Sequence, residues 1–202
     1  TDTSLNIAKL LQKQYHNLII SSALNIYPNC WDEARSKGFE LMSGDYVLVM
    51  GADDFLHKDF IKNCMSIILK KPSKIKALQS PIRGIRANTG INVGDICHQY
   101  SSLNEFKSLC EKKCPVNTPT VIYNTQLYRD GLLKTKPELY GGAADYDLYC
   151  RLAHNNIFIF SPPKWLGFYY RWHPNQATWS VQKESINYDK MIQDYWRQKW
   201  IN

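Results

Sequence analysis

The chain has 202 residues, a length that fits one domain or one domain with an appendage. Hydrophobic residues make up 44% and charged residues 21%, a composition that excludes a disordered chain. The net charge of +7 suits an anionic partner, but no long basic block and no RNA-binding aromatic motif is present, which argues against a nucleic-acid partner. We therefore expect a single domain over residues 1–202.

The cysteines and the apolar runs bear on the cellular compartment. Six cysteines occur at irregular spacings, which favours reduced thiols in an intracellular, cytoplasmic protein over a disulfide framework. Cys110 and Cys114 have the spacing of one helix face and could share a metal ion, although no matching Cys/His pair follows. No apolar run approaches the roughly 18 residues of a membrane-spanning helix, and no signal peptide is recognisable.

The first 70 residues alternate between helical and strand patterns. A helix begins at Thr3 or Ser4, and its apolar side carries Ile7, Leu10, Leu11 and Tyr15. The patterns that follow predict a strand at 17–23, a helix at 31–42, a strand at 46–50 and a helix at 58–69. The apolar sides of these two helices are predicted to be Ala34, Gly38, Leu41 and Met42, and Phe60, Ile61, Cys64, Ile67 and Ile68. The alternation predicts an α/β domain with a mainly parallel central sheet flanked by helices.

The rest of the chain is less regular. It predicts strands at 78–85, 120–123, 157–160 and 168–172, and helices at 127–132 and 145–154, whereas residues 86–115 give no assignment. The last segment, 184–202, is predicted to be an aromatic and basic helix. It could make a peripheral contact with a membrane surface, or it could cover the domain's own sheet.

Two adjacent carboxylates are the strongest chemical signal. Asp53 and Asp54 directly follow the apolar strand predicted at 46–50, and ligands of open α/β sheets bind at that end of the strands. Adjacent carboxylates repel each other, and a hard divalent cation would relieve the repulsion by taking oxygen ligands. The other interpretation is a turn or a helix cap, and the pair alone leaves both open.

Three blocks of the chain carry motifs beyond this pair. They are ARSKGFELMSGDYVLVMGADDFL at 34–56, GGAADYDLYCRLA at 141–153 and YYRWHPNQAT at 169–178. In composition, order and spacing these blocks resemble the family 2 glycosyltransferases of the GT-A fold, and the resemblance extends over roughly residues 1–180. In that family the first block ends in an aspartate motif, the second joins a glycine loop to an acidic helix start, and the third carries a late histidine.

The resemblance implies a role for each matching residue. Asp54 would coordinate Mn²⁺ or Mg²⁺ that bridges the diphosphate of a sugar donor, and His173 would complete the metal site. Asp53 would hydrogen-bond the ribose or the sugar of the donor, and Asp145 would be the general base. Without the resemblance, Asp145 is better explained as a helix N-terminal residue and His173 as an ordinary loop histidine.

Three further positions are implied to contact substrates. Arg35 would face the nucleotide phosphates, and Gly141 and Gly142 would let the backbone approach the acceptor or the donor sugar. The implied activity is an inverting glycosyltransferase that uses a nucleotide-diphosphate donor, foremost a UDP-sugar. Its acceptor would be a hydroxyl group on a glycan, a lipid or a protein.

Two other functions remain open at this point. One is a metal-dependent nucleotidyltransferase on a similar sheet, which would need a glycine-rich, basic loop near the N-terminus that we do not find. The other is a degenerate domain that binds carbohydrate or a protein partner. Retention of Asp54, Asp145 and His173 together argues against the degenerate domain.

The chain departs from the family pattern in three places. The family begins with a strand, a helix and a second strand that ends in acidic residues. Here the match starts just after these elements, so roughly 35 to 40 residues of the usual nucleotide-binding half are missing from it. We expect that this chain omits them, that another segment supplies them, or that the domain is a reduced one. Gly51 stands where many relatives carry a first aspartate, and Ala144 replaces an acidic residue that often precedes the base. These departures leave the predicted metal ligand and base in place.

Overall fold

The computed structural model describes residues 3–22, 29–176, 179 and 185–201. Contacts within the chain divide it into two units, Thr1–Met42 and Ser43–Asn202. All strands of the described residues belong to the second unit. The predicted single domain over residues 1–202 stays a prediction.

The first unit contains two helices, α1 (Ser4–Gln14) and α2 (Asn29–Leu41), close to the predicted bounds. The strand predicted at 17–23 is wrong over residues 17–22, and Ala23 lies outside the described residues. Leu18 makes local bonds instead, since its N–H donates to the Tyr15 carbonyl at 3.0 Å and its carbonyl accepts from Gln12 Nε2 at 3.0 Å. These bonds form a turn and leave no backbone group of Leu18 for a strand partner.

The apolar side predicted for α2 is also wrong. Ala34, Gly38 and Leu41 are exposed, whereas Phe39 is buried. The size of the apolar side chain does not explain this pattern, since Trp31 is 39% exposed and Leu41 is 47% exposed.

The second unit is built on short strands in two sheets. In chain order they are β1 (Tyr46–Leu48), β2 (Phe55–Leu56), β3 (Ala77–Leu78), β4 (Ile82–Arg86), β5 (Asn92–Ile96), β6 (Ile122–Asn124) and β7 (Phe168–Trp172). Among the described residues one sheet has the order β1-β6-β3 and the other the order β2-β7-β4-β5. Only the β4–β7 pair of these ladders is parallel, so the expectation of mainly parallel pairing is wrong.

Pro81 explains why one predicted strand is divided between the two sheets. The strand predicted at 78–85 is interrupted there, because proline has no N–H to donate to a ladder. The N–H of Gln79 bonds to the Phe160 carbonyl at 2.9 Å, and that of Ser80 to Thr120 Oγ1 at 3.0 Å. The two halves of the predicted strand therefore become β3 and β4 and join different sheets. Phe160, predicted within a strand at 157–160, forms only an isolated bridge with Leu78.

Helices surround these sheets in the second unit. They are α3 (Phe60–Ile68), α4 (Leu103–Cys110), α5 (Gln126–Arg129), α6 (Pro137–Tyr140), α7 (Ala144–His154) and α8 (Tyr188–Ile201), with 3₁₀ turns at Thr118–Thr120 and Gly141–Ala143. Helix α4 lies in the stretch that the sequence left unassigned. A capping box starts it, since Ser102 Oγ accepts from Glu105 N and Glu105 Oε2 accepts from Ser101 N.

The core of the second unit lies between α3 and the sheets. Phe60, Cys64 and Ile68 of α3 are buried against Leu78 and Phe168. These three helix residues are four apart and share one face, as predicted for each of them. Ile61 was predicted to face inward and is 48% exposed, because one residue further along a helix turns the side chain about 100° away.

The C-terminal helix packs on another helix and not on a sheet face, which corrects one of the two expectations for it. Ile192 and Trp196 of α8 are buried, and Trp196 Nε1 donates to Asp147 Oδ1 of α7 at 2.9 Å. Asp147 also pairs with Arg151 at 3.7 Å. No helix in the described part of the chain has both the length and the apolar character needed to cross a membrane. Contact of α8 with a membrane surface stays a prediction.

Gly167, just before β7, is expected to be essential for stability. Its φ of +122° is one that other residues rarely adopt, and an added Cβ would lie 2.9 Å from His57 Cβ and 3.3 Å from Phe60 Cβ. We expect Gly167→Ala to lower the free energy of unfolding by about 2–4 kcal/mol, from backbone strain and overpacking together. Urea denaturation measures this change.

Gly94→Ala is the matched control for this variant. Gly94 has nearly the same φ, +118°, but a Cβ there would meet no atom within 4 Å. Its loss of stability should come from backbone strain alone and be smaller than that of Gly167→Ala. Equal losses would show that the contacts with His57 and Phe60 contribute nothing.

Candidate active site

The paired carboxylates lie in the turn between β1 and β2. The N–H of Asp54 bonds to the Gly51 carbonyl at 3.4 Å, which closes the turn. A Cβ at Gly51 would lie 2.6 Å from Asp53 Oδ1 and 3.4 Å from Asp54 Oδ2. Both side chains therefore lean over Gly51, and a third aspartate at this position would collide with the carboxylate of Asp53.

Strand β7 brings two cationic residues to this turn. The N–H of Arg171 donates to Asp54 Oδ1 at 3.1 Å, and its guanidinium Nε donates to the Asp53 carbonyl. His173 Nε2 lies 2.9 Å from Asp53 Oδ2. The turn and the end of β7 thus form one cluster of Asp53, Asp54, Arg171 and His173, which we call the carboxylate cluster.

The electrostatics of the cluster favour an added positive charge. The pKa of Asp54 is raised from 3.8 to about 6, mainly by burial and in smaller part by the neighbouring charge of Asp53. The Arg171 N–H and the Arg171 and His173 charges lower this pKa, but they do not offset the burial. A cation placed beside Asp54 would stabilise its charged form, as cations do for buried carboxylates.

The residues present fit a cation that is shared with a phosphate group. The described part of the chain contains no group of three or more His, Cys, Asp or Glu side chains that could hold a metal ion alone. Mg²⁺ commonly binds to one or two carboxylates and completes its shell with substrate phosphates and water, so Asp54 and its neighbours suffice for that mode. His173 contacts Asp53 and not Asp54 in this arrangement, and the predicted Asp54–His173 metal pair stays a prediction.

Asp145 lies elsewhere in the second unit, in the first turn of α7. Thr118 Oγ1 donates to Asp145 Oδ2 at 2.5 Å, which fixes the orientation of the carboxylate. Among the described residues, Asp145 makes no hydrogen bond or ion pair with the carboxylate cluster. Its role as a general base stays a prediction.

The glycine pair forms the approach to Asp145. Gly141 is buried, with a φ of +49°, a conformation that favours glycine, and Gly142 is half-buried in the same 3₁₀ turn. Arg35 lies in the first unit, on the partly buried part of α2. The contacts predicted for Gly141, Gly142 and Arg35 with substrates stay predictions.

Three residues near these groups were missed by the sequence analysis. Arg171 could have been found, because it lies two residues before His173 in the block YYRWHPNQAT at 169–178. Thr118 gave no signal, since its contact with Asp145 spans 27 residues. Asp189, in the first turn of α8, has a pKa raised by burial and then by the charge of Asp145, so it is a second carboxylate near the predicted base.

A cavity of about 850 Å³ adjoins the carboxylate cluster. Residues that line it include Arg86, Asn88, Val93, Trp172, His173 and Trp179. His173 belongs to both the cavity wall and the cluster, so a molecule in the cavity would lie next to the paired carboxylates.

Known structures share the fold of the chain. S. aureus TarS 1-349 in complex with UDP-GlcNAc is 19% identical, with a TM-score of 0.67 over 92% of this chain and 50% of that one. The complex of TarS 1-349 with UDP is 19% identical, with a TM-score of 0.61 over 100% of this chain and 59% of that one. The chain thus spans about half the length of these structures. The likeness confirms the GT-A fold.

The sequence comparison identifies the family. No curated protein matches the chain. The family described as "Glycosyl transferase family 2" matches residues 1–135, about two thirds of the chain, which include α2, the turn with Asp53 and Asp54, and β6. The chain belongs to glycosyl transferase family 2.

Proposed function

We propose that the chain is the catalytic domain of a metal-dependent, inverting glycosyltransferase that moves a sugar from a UDP-sugar to a hydroxyl group of an acceptor. The carboxylate cluster carries this proposal, because two adjacent carboxylates held by β7 next to a cavity suit a diphosphate and its cation. Family membership supports the reaction class. The TarS complexes with UDP-GlcNAc and UDP support the proposal that the donor is a UDP-sugar.

At the donor end, the cluster would bind and orient the diphosphate. Asp54 would hold Mn²⁺ or Mg²⁺ together with His173, and the bound ion would act as a Lewis acid for the leaving UDP. Asp53 would hydrogen-bond the ribose or the sugar of the donor. The Arg171 N–H keeps one oxygen of Asp54 in place, so the carboxylate does not have to be oriented when the donor arrives.

At the acceptor end, Asp145 would take the proton of the attacking hydroxyl group. The hydroxyl oxygen forms a bond to the anomeric carbon, the bond from that carbon to the diphosphate oxygen breaks, and the proton passes to the Asp145 carboxylate. Attack from the side opposite the leaving group inverts the configuration of the anomeric carbon. The Thr118 hydrogen bond holds Asp145 for this step, which places the base before the acceptor binds.

Release of UDP from a UDP-sugar tests the proposal without knowledge of the acceptor. Incubated with UDP-GlcNAc, UDP-glucose or UDP-galactose and Mn²⁺, the protein should release UDP slowly from at least one of them, with water as the acceptor. EDTA should stop the release, and added Mn²⁺ or Mg²⁺ should restore it, because the leaving diphosphate needs the cation.

The same assay separates the other functions. A nucleotidyltransferase would instead release pyrophosphate from UTP and a sugar 1-phosphate. A degenerate domain would bind the donor with no release of UDP. Release that persists unchanged in EDTA would contradict the metal dependence, and no release from any of the three donors would contradict the proposed function.

A further inference from the structure

The cavity beside the carboxylate cluster has a fixed aromatic wall. Trp172 is the last residue of β7, paired in parallel register with Arg86, and its carbonyl accepts from Ala87 N at 3.0 Å. The indole of Trp172 crosses β4 at Gly84, where an added Cβ would lie 2.7 Å from Trp172 Nε1. Gly84 therefore provides the space that holds this indole against the sheet.

A second indole stands beside the first. Trp179 Nε1 donates to the His173 carbonyl at 2.9 Å, and the Trp179 ring centroid lies 5.4 Å from that of Trp172 at an angle of 52°. Both tryptophans are only half-buried, so part of each ring faces the cavity. Exposed Arg86 and Asn88 add hydrogen-bond donors, and no carboxylate is among the lining residues that the structure describes.

We propose that this cavity binds the carbohydrate of the acceptor, with a sugar ring against Trp172 and Trp179. A sugar ring has an apolar C–H face that suits a flat indole and hydroxyl groups that accept from Arg86 and Asn88. The inference rests on the proposed function, because the shared residue His173 places the bound ring next to the diphosphate site. The volume of 850 Å³ lies near the upper end of ligand pockets, which points to a disaccharide or longer glycan.

Saturation-transfer NMR with cellobiose, lactose and N,N′-diacetylchitobiose tests the proposal. At least one of these disaccharides should bind to the wild-type protein, and Trp179→Ala should weaken its binding by about tenfold or more. Trp172→Phe, which keeps a ring in the sheet, and Arg86→Gln should each weaken it less. Tyr195→Ala, which removes an exposed aromatic ring of α8, is the control and should change nothing.

The donor is measured separately in the same variants. UDP binding in Mn²⁺ and release of UDP from the donor should be unchanged in the control Tyr195→Ala. In Arg86→Gln the loss of UDP affinity should be smaller than the loss of disaccharide affinity. A loss of UDP affinity in Arg86→Gln as large as its loss of disaccharide affinity would show that the cavity holds the donor and would overturn the proposal. Absence of binding by all three disaccharides, or binding that survives Trp179→Ala, would also overturn it. Failure of the proposed function would appear differently, as no release of UDP by the wild-type protein.

Discussion

Asp54→Asn is expected to reduce release of UDP from the donor by roughly 10²–10³-fold, a loss of about 3–4 kcal/mol of transition-state stabilisation. The amide has the size of the carboxylate and still presents an oxygen to the Arg171 N–H, so the turn should keep its shape. The variant loses only the negative charge that would hold the cation on the leaving diphosphate. Release of UDP measured over a titration of Mn²⁺ should show both a lower maximal rate and weaker dependence on the ion.

Asp54→Asn should make the folded protein more stable at neutral pH while it lowers the release of UDP. A gain in stability would show that the lost activity does not come from misfolding. The pKa of Asp54 is raised from 3.8 to about 6, so the folded protein binds this proton more tightly than the unfolded chain does. Folding stability of the metal-free protein therefore falls as pH rises through that window, and Asp54→Asn should remove this part of the pH dependence. Urea denaturation at pH 4 and pH 7 tests it.

Asp59→Asn is the control for Asp54→Asn. Asp59 precedes α3 and lies 3.6 Å from His57 Nδ1, with no contact to the carboxylate cluster among the described residues. Its neutralisation should leave the release of UDP intact. If Asp54→Asn kept a rate close to that of the wild type, Asp54 would not hold the cation.

Asp145→Asn is expected to slow sugar transfer to an acceptor by roughly 10²–10⁴-fold, the contribution of one well-placed general base. The amide cannot take the proton of the attacking hydroxyl group. Binding of UDP should be unchanged, because we propose the diphosphate site at the carboxylate cluster and not on α7. Calorimetry with UDP and Mn²⁺, together with the transfer rate to a disaccharide that binds, measures the two effects separately.

Thr118→Val provides a graded comparison with Asp145→Asn. It removes the hydroxyl group that donates to Asp145 and keeps the size of the side chain. The carboxylate stays but loses its orientation, so the rate of transfer should fall by about ten- to a hundredfold, the range of a hydrogen bond to a charged group. If Asp145→Asn weakened UDP binding as much as it slowed transfer, Asp145 would be a donor-binding residue and not the base.

Much of the candidate site could be predicted because its residues lie in short, ordered motifs. Asp53 and Asp54 follow an apolar strand, and that strand and the turn after it are present as expected. The partner of His173 could not be predicted. The turn at Gly51 decides which of the two adjacent carboxylates faces His173 and which accepts from Arg171 N, and this geometry has no counterpart in a pattern of residue types. Thr118 and Asp189 reach Asp145 only through the tertiary structure.

For the fold as well, features set by neighbouring residues could be predicted, and features set by contacts between distant residues could not. Helices α3 and α7 were predicted to within two residues, because apolar residues repeat along several turns. The strands have two to five residues, too few to reveal the direction of a partner strand. Pro81 interrupts the strand that the apolar pattern predicts at 78–85. The local hydrogen bonds of Leu18 replace the strand that the pattern predicts at 17–23.

The pairing of Asp53 with His173 joins positions 120 residues apart. At a synthesis rate of 5–20 residues per second, a ribosome needs roughly 6–24 s to add the second partner after the first. During that interval the nascent chain carries the two acidic side chains without their cationic counterparts. The carboxylate cluster is therefore among the last parts of the second unit to assemble, and a polypeptide that terminated before β7 would lack Arg171 and His173.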